Sequence, residues 1–196
     1  MDKLTRKEQK EKTRAGLLEI TEKLFSKNGI GITTTSDIAK ACQVSHGTLF
    51  IHFPTREELI LAVVDRFGER LAKELGSRCT SDMPLKELLK AHALVLIEFE
   101  DFYMRLISES QSLPPQIRSQ LYAINASLSY RFYNSAKPGM KSGEYKKIDQ
   151  ASFLNTWLAI LHFYILNRDL FSDHTPILKY KTDDLIKYFL NLIKTK

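Results

Sequence analysis

The sequence predicts an all-α protein, and three observations carry that expectation. Apolar residues recur at helical spacing nearly from end to end. No run alternates Val, Ile and Thr with polar residues between turn signals as a strand would. Capping residues, Pro and Gly punctuate the apolar segments at helical lengths. The 196 residues are enough for one good core and a small second one, and 43% hydrophobic with 27% charged content excludes a disordered chain or a fibrous repeat.

The first helix is expected from about Arg6 to Asn28, with Leu17, Leu18, Leu24 and Phe25 on one stripe and Asn28-Gly29 as its stop. After a short loop, Thr34 with Asp37 makes a capping box. It opens a helix of about two turns through Ile38, Ala39 and Cys42. Gln43-Val44 breaks it, Ser45 serves as N-cap, and a second short helix runs towards His52. Pro54 ends that element, and Thr55 with Glu58 forms another capping box, opening a long helix to about Ser77. Beyond a break at 80–84, helices are expected over Leu85 to Glu109, with a candidate interruption near Glu100, and over Pro115 to Ala136. A loop holding Pro138, Gly139 and Gly143 should follow, then helices over Glu144 to Phe171 and over Thr182, as cap, to Lys194. Small threaded helices thus occupy 1–54 and long apolar ones 55–196, with 55–77 connecting the two parts.

A formal net charge of +6 and a pI near 9.2 favour anionic partners such as nucleic acid or a membrane surface. The longest apolar stretch, Phe153 to Leu166, is interrupted by Asn155, Thr156 and His162. It is too short for a membrane span, so no transmembrane segment is expected. Cys42 and Cys79 lie far apart without CxxC spacing, and no secretory signal precedes them, which fits a reducing, cytoplasmic setting. The histidines at 46, 52, 92, 162 and 174 lack metal-ligand spacing, and there is neither a Gly-rich phosphate loop nor a nucleophile elbow. Glu98, Glu100 and Asp101 are near-consecutive helix positions that point different ways and read as solvated. Catalysis, metals and cofactors are therefore not expected.

The stretch TTTSDIAKACQVSHGTLFIHF, residues 33–53, carries the chemistry. Ile38, Ala39, Cys42, Val44, Leu49, Phe50 and Phe53 can face one small core with Leu18 and Phe25. That leaves Ser45, His46, Thr48, Ile51 and His52 outward, with Gly47 removing a Cβ among them. Such a face suits a DNA major groove, where side chains reach base edges and backbone approaches phosphates. It also suits a small helical hairpin with a polar exposed side. The run TTTSDIAKACQVSHGTLFIHFPTREEL resembles the helix-turn-helix signature of the TetR family of bacterial transcriptional regulators, TT-x-x-IA-x-x-x-x-VS-x-GTLY-x-HF-x-x-KEEL. The resemblance implies a three-helix DNA-binding domain, a linking fourth helix, and a helical domain that dimerises and binds a small effector. By that likeness Thr35 donates to a phosphate, Ser45, His46 and Thr48 approach bases or backbone, and Ile51 lies on the same face. Gly47 allows close approach, His52 contacts a phosphate, and Arg56 stands where Lys is frequent. Phe50 replaces the usual Tyr, removing a hydroxyl, and Gln43 replaces a frequent turn Gly, which strains the turn. Lys3, Arg6, Lys7, Lys10, Lys12 and Arg14 form a basic stretch, readable as a DNA-contacting arm or as a solvated helix face.

In the second part, residues 153–166 are apolar on almost every face, so one side serves the chain's own core while another wants a partner. The resemblance implies a homodimer built from the last two long helices, reading a palindromic operator on double-stranded DNA. Trp157, Leu161, Tyr164, Ile165, Phe189 and Leu192 are the candidate interface. Phe99, Phe102, Tyr103, Tyr122, Tyr130, Trp157 and His162, with Asn125 as a further polar point, are candidates to line a mostly apolar effector cavity, and fit an ordinary core equally in their spacing. The function expected is that of a repressor released by a small, largely apolar effector. The alternative is control through a redox-active cysteine or a protein partner.

Overall fold

In the computed structural model, which describes residues 5–80, 82–171, 173 and 176–195, the chain is helical nearly throughout, with a single isolated bridge between Tyr145 and Lys194. Helix α1 (Arg6–Asn28) opens with a reciprocal capping box, Thr5 accepting from the Glu8 amide and the Glu8 carboxylate accepting from Thr5, and it closes on Gly29 at φ 104°. It buries Leu17, Leu18, Thr21 and Phe25 and packs on α2 (Thr35–Ala41) and α4 (Arg56–Arg78), while α3 (His46–His52) packs on α2. The helical domain follows as α5 (Leu85–Glu109), a 3₁₀ turn (Ser110–Ser112), α6 (Pro115–Ser142), α7 (Gln150–Leu166), a second 3₁₀ turn (Arg168–Leu170) and α8 (Leu178–Ile193). The core is continuous between the two parts: Phe25 stacks on Phe102 at 6.5 Å, and Phe67 meets Phe99 and Phe102 edge-on at 5.5 and 4.9 Å.

Four boundaries differ from expectation, three of them through a contact remote in sequence or a closely packed neighbour. Helix α6 runs through Pro138 to Ser142 and stops at Gly143, which takes a left-handed φ of 81°. Gly139 is buried inside that helix because the ring of Tyr145 lies where a Cβ would stand, so the glycine serves packing rather than a loop. Residues 144–149 are not helical, because their backbone pairs with the chain end: Lys146 donates to the Ile193 carbonyl at 2.8 Å and Thr195 donates to Glu144 at 3.0 Å. Asp149 then caps α7, accepting from the Ser152 amide at 2.9 Å. Helix α7 ends at Leu166 rather than Phe171.

Helix α8 starts one turn before Thr182, whose hydroxyl instead donates to the Leu178 carbonyl at 2.6 Å. Its cap comes from α5: the Ile177 and Leu178 amides donate to the Glu100 carboxylate at 2.8 and 3.1 Å. Glu100 is thus neither a helix break nor solvated but 2% exposed, with Arg168 at 3.7 Å. A carboxylate at a helix N-terminus satisfies free amides and complements the helix dipole.

Candidate nucleic-acid interface and effector cavity

The α2–α3 unit is assembled by local hydrogen bonds. Thr34 and Asp37 form the reciprocal box, with Asp37 accepting from the Thr34 amide at 2.9 Å and hydroxyl at 2.6 Å. The turn closes through the Val44 amide on the Ala39 carbonyl at 3.1 Å. Gln43 there adopts φ 55°, a left-handed conformation costly for a residue with a Cβ. Ser45 caps α3 by accepting from the Thr48 amide at 3.0 Å, and its hydroxyl shares a 2.8 Å bond with that of Thr48. Beneath, Ile38, Leu49 and Phe53 are buried.

This packing holds one polar rim outward. Ser45, His46 and Gly47 are exposed, Thr35, Thr48 and His52 are half-buried, and Ile51 is 71% exposed. Thr35 and His46 are joined across the two helices by a 2.9 Å bond between Oγ1 and Nε2, and His46 lies edge-on to Phe50 at 4.7 Å. The rim is therefore preorganised, its hydroxyls and imidazole already oriented against each other. A Cβ built on Gly47 would meet nothing nearer than Ser45 Oγ at 3.7 Å, so the fold does not require glycine there. Burial, with Lys10 and Arg14 nearby, pushes the His52 imidazole below its ordinary value, and its Nδ1 has no protein partner. Arg6, Lys7, Lys10, Lys12 and Arg14 line exposed positions of α1, while Lys3 and His174 lie outside the described residues. Ile32, in the loop before α2, is 74% exposed, and a lone apolar loop residue carries no sequence signal that would mark it.

Arg56 bonds the loop that enters α2. Its Nη2 donates to the carbonyls of Ile30 at 2.6 Å and of Gly31 and Thr33 at 3.3 Å, so it ties down the α1–α2 loop. From the opposite side, the end of α5 holds the same loop. The Ile30 and Gly31 amides donate to Glu109 at 3.1 and 2.7 Å, and Arg105 donates to the Ser26 and Lys27 carbonyls at 3.2 and 3.0 Å. The helical domain thus grips α1 and the entry to α2 through two charged side chains.

The aromatic candidates do not converge on one cavity. Phe99, Phe102 and Trp157 are core residues, and Tyr122 and Tyr130 are 72% and 63% exposed. Trp157 donates to His92 Nδ1 at 3.1 Å in the fully enclosed core, where burial pushes His92 down to about 3. Tyr103, His162, Asn125 and Tyr122 do come together. A cavity of about 200 Å³ between α5, α6 and α7 is lined by Ile107, Gln111, Arg118, Tyr122, Asn125 and His162. The buried Tyr103 hydroxyl meets His162 Nε2 at 2.8 Å. Burial pushes His162 down to about 4 and Tyr103 up to about 12, so both are neutral at neutral pH.

Of the dimer candidates, Trp157, Leu161, Ile165 and Phe189 are wholly buried within one chain and cannot meet a partner. The other side of α7 and α8 is open: Phe163 is 54% exposed, Tyr188 61% and Leu192 45%, beside half-buried Ile160 and Tyr164. Burial pushes the Cys79 thiol up to about 11 and raises that of Cys42, which keeps both protonated and weakens any redox reading. No group of side chains suited to a metal occurs among the described residues, and no helix is long and apolar enough to cross a membrane.

Fold and rim together define a helix-turn-helix protein carrying a larger helical domain. Residues 17–63 match the family described as bacterial regulatory proteins, tetR family. The HTH-type transcriptional repressor Rv3405c of Mycobacterium tuberculosis is 34% identical over 87 residues, 44% of this chain and 46% of that protein. The HTH-type transcriptional regulator TtgR of Pseudomonas putida is 38% identical over 63 residues, covering 32% and 30%. The matched segment spans about half the length, or less, of these curated relatives. Among solved structures, the TetR-family regulator PfmR from Thermus thermophilus superposes with a TM-score of 0.71 at 22% identity, covering 89% of this chain and 97% of its own. A regulator from Saccharomonospora viridis in complex with choline superposes at 0.75 and 15% identity, covering 95% and 100%. The helix-turn-helix segment is thus similar to that of the tetR family of bacterial regulatory proteins, and the whole chain shares the fold of these solved structures.

Proposed function

We propose that this protein is a ligand-responsive transcriptional repressor that binds a palindromic operator as a homodimer. The observation that carries the reading is the rim of Thr35, Ser45, His46, Gly47 and Thr48, turned outward by a buried underside and left without any packing need for Gly47. Side chains at the N-terminus of a short exposed helix reach base edges in a major groove, and basic residues of α1 supply phosphate contacts. The exposed faces of α7 and α8 pair with their own copy and set the spacing of two heads. An effector in the helical domain acts through Arg105 and Glu109: any shift of the end of α5 moves the α1–α2 loop and hence the rim.

The test is selection of bound fragments from the source genome at physiological salt, then fluorescence anisotropy on the best fragment. A regulator shows roughly 10³-fold preference or more over scrambled duplex. Equal affinity for both refutes the reading.

A further inference from the structure

We propose that the cavity between α5, α6 and α7 takes a small organic acid, its carboxylate paired with Arg118 and its apolar body lying beside Tyr122. The inference rests on the regulatory reading for its biological sense, and on the cavity alone for its chemistry. At about 200 Å³ the space is below the roughly 300–1,000 Å³ usual for drug-sized ligands, which restricts it to compact molecules. Arg118 is the one ionised side chain among those lining it. Its hydrogen-bond partner is the neutral amide oxygen of Gln111 at 3.0 Å, and no carboxylate among the described residues pairs with it. A guanidinium on a half-buried residue, beside a cavity and matched to an amide, is suited to bidentate carboxylate recognition, which is the stronger bond.

The remaining polar groups fit the same occupant. The Tyr103 hydroxyl is hydrogen-bonded to His162 Nε2 at 2.8 Å, and His162 and Asn125 line the cavity as neutral polar groups. They offer hydrogen bonds without a second positive charge that would demand a dianion. An acid that takes Arg118 from Gln111 also frees the turn Ser110–Ser112, which directly follows Glu109, the residue that holds the α1–α2 loop.

The test uses the intact protein with benzoate, phenylacetate and hexanoate, and benzamide as the neutral isostere, titrated calorimetrically to millimolar concentration. At least one acid should bind, benzamide at least tenfold more weakly than benzoate if benzoate is that acid, and Arg118→Gln should reduce acid affinity tenfold to a hundredfold. Amide chemical-shift changes should map to α6 and the turn after α5. Silence from all three acids, equal binding of acid and amide, or undiminished binding by R118Q in a normally folded variant overturns the proposal. Operator binding is measured separately on the same protein. Acid binding at Arg118 with no operator preference would refute the regulatory reading and leave this one standing.

Discussion

Gly47→Ala separates an interface glycine from a structural one, because the two roles predict opposite signs. The added Cβ would sit in ordinary contact with Ser45 Oγ at 3.7 Å, and Gly47 is not among the residues with positive φ. The fold therefore has nothing to lose. Alanine in a helix interior is favoured over glycine by about 0.5–1 kcal/mol. At the second position of α3 the lower figure applies, and for a chain of this size about 0.5 kcal/mol raises Tm by about 1–2 °C. DNA affinity should move the other way. A methyl between Ser45 and Thr48 holds the backbone off the duplex, and a tenfold loss, about 1.4 kcal/mol, is expected. Differential scanning fluorimetry and anisotropy on the selected fragment measure both. A Tm lowered by several degrees would show that the fold uses this glycine, and unchanged affinity would show that the rim does not meet DNA.

Two further outcomes follow from the helical domain. His92 and His162 are held at about 3 and about 4 in the folded chain, below an unfolded value of about 6.5, so their neutral forms stabilise the fold fully above pH 6.5. As pH falls from there towards 4 the unfolded state takes up the protons, removing up to about 1.4 kcal/mol per pH unit for each histidine. His162→Gln should therefore roughly halve the steepness of denaturant-measured stability between pH 6.5 and 4.5, and an unaltered slope would contradict the assignment. Phe163→Glu places a carboxylate on the exposed face of α7, where burial against a second copy would cost several kcal/mol. Sedimentation should show at least a hundredfold weaker dimer with an unchanged Tm for the monomer, and an intact dimer would place the interface elsewhere.

The elements of the first part were legible because their signals are local. Thr34 with Asp37, Ser45, Thr55 and Gly29 each satisfy a helix end within three or four residues, although Thr55 caps α4 by accepting from the Glu58 amide without the reciprocal bond that a capping box requires. Gln43 was legible for the same reason, its φ of 55° following from a turn that lacks glycine. The second part misled where distant groups replaced local caps. Glu100 substitutes for Thr182 at α8 from 77 residues away, and Tyr145 turns an apparent Pro-Gly loop into a packed helix. The loop contact of Arg56 was not legible, because its identity shows reach and charge, whereas the carbonyls it binds converge only in the folded loop.

The amino-acid order by itself determined that this chain is helical, where the short helix-turn-helix lies, and which side chains of α3 face outward, since periodicity and capping are properties of neighbours along the chain. Only the tertiary structure decided which apolar faces of α7 and α8 remain uncovered, which of the aromatic residues enclose a space, and how α5 grips the loop between α1 and α2. Those depend on helices that pack from far apart in the chain, and a spacing of three or four residues carries no record of what lies across the gap.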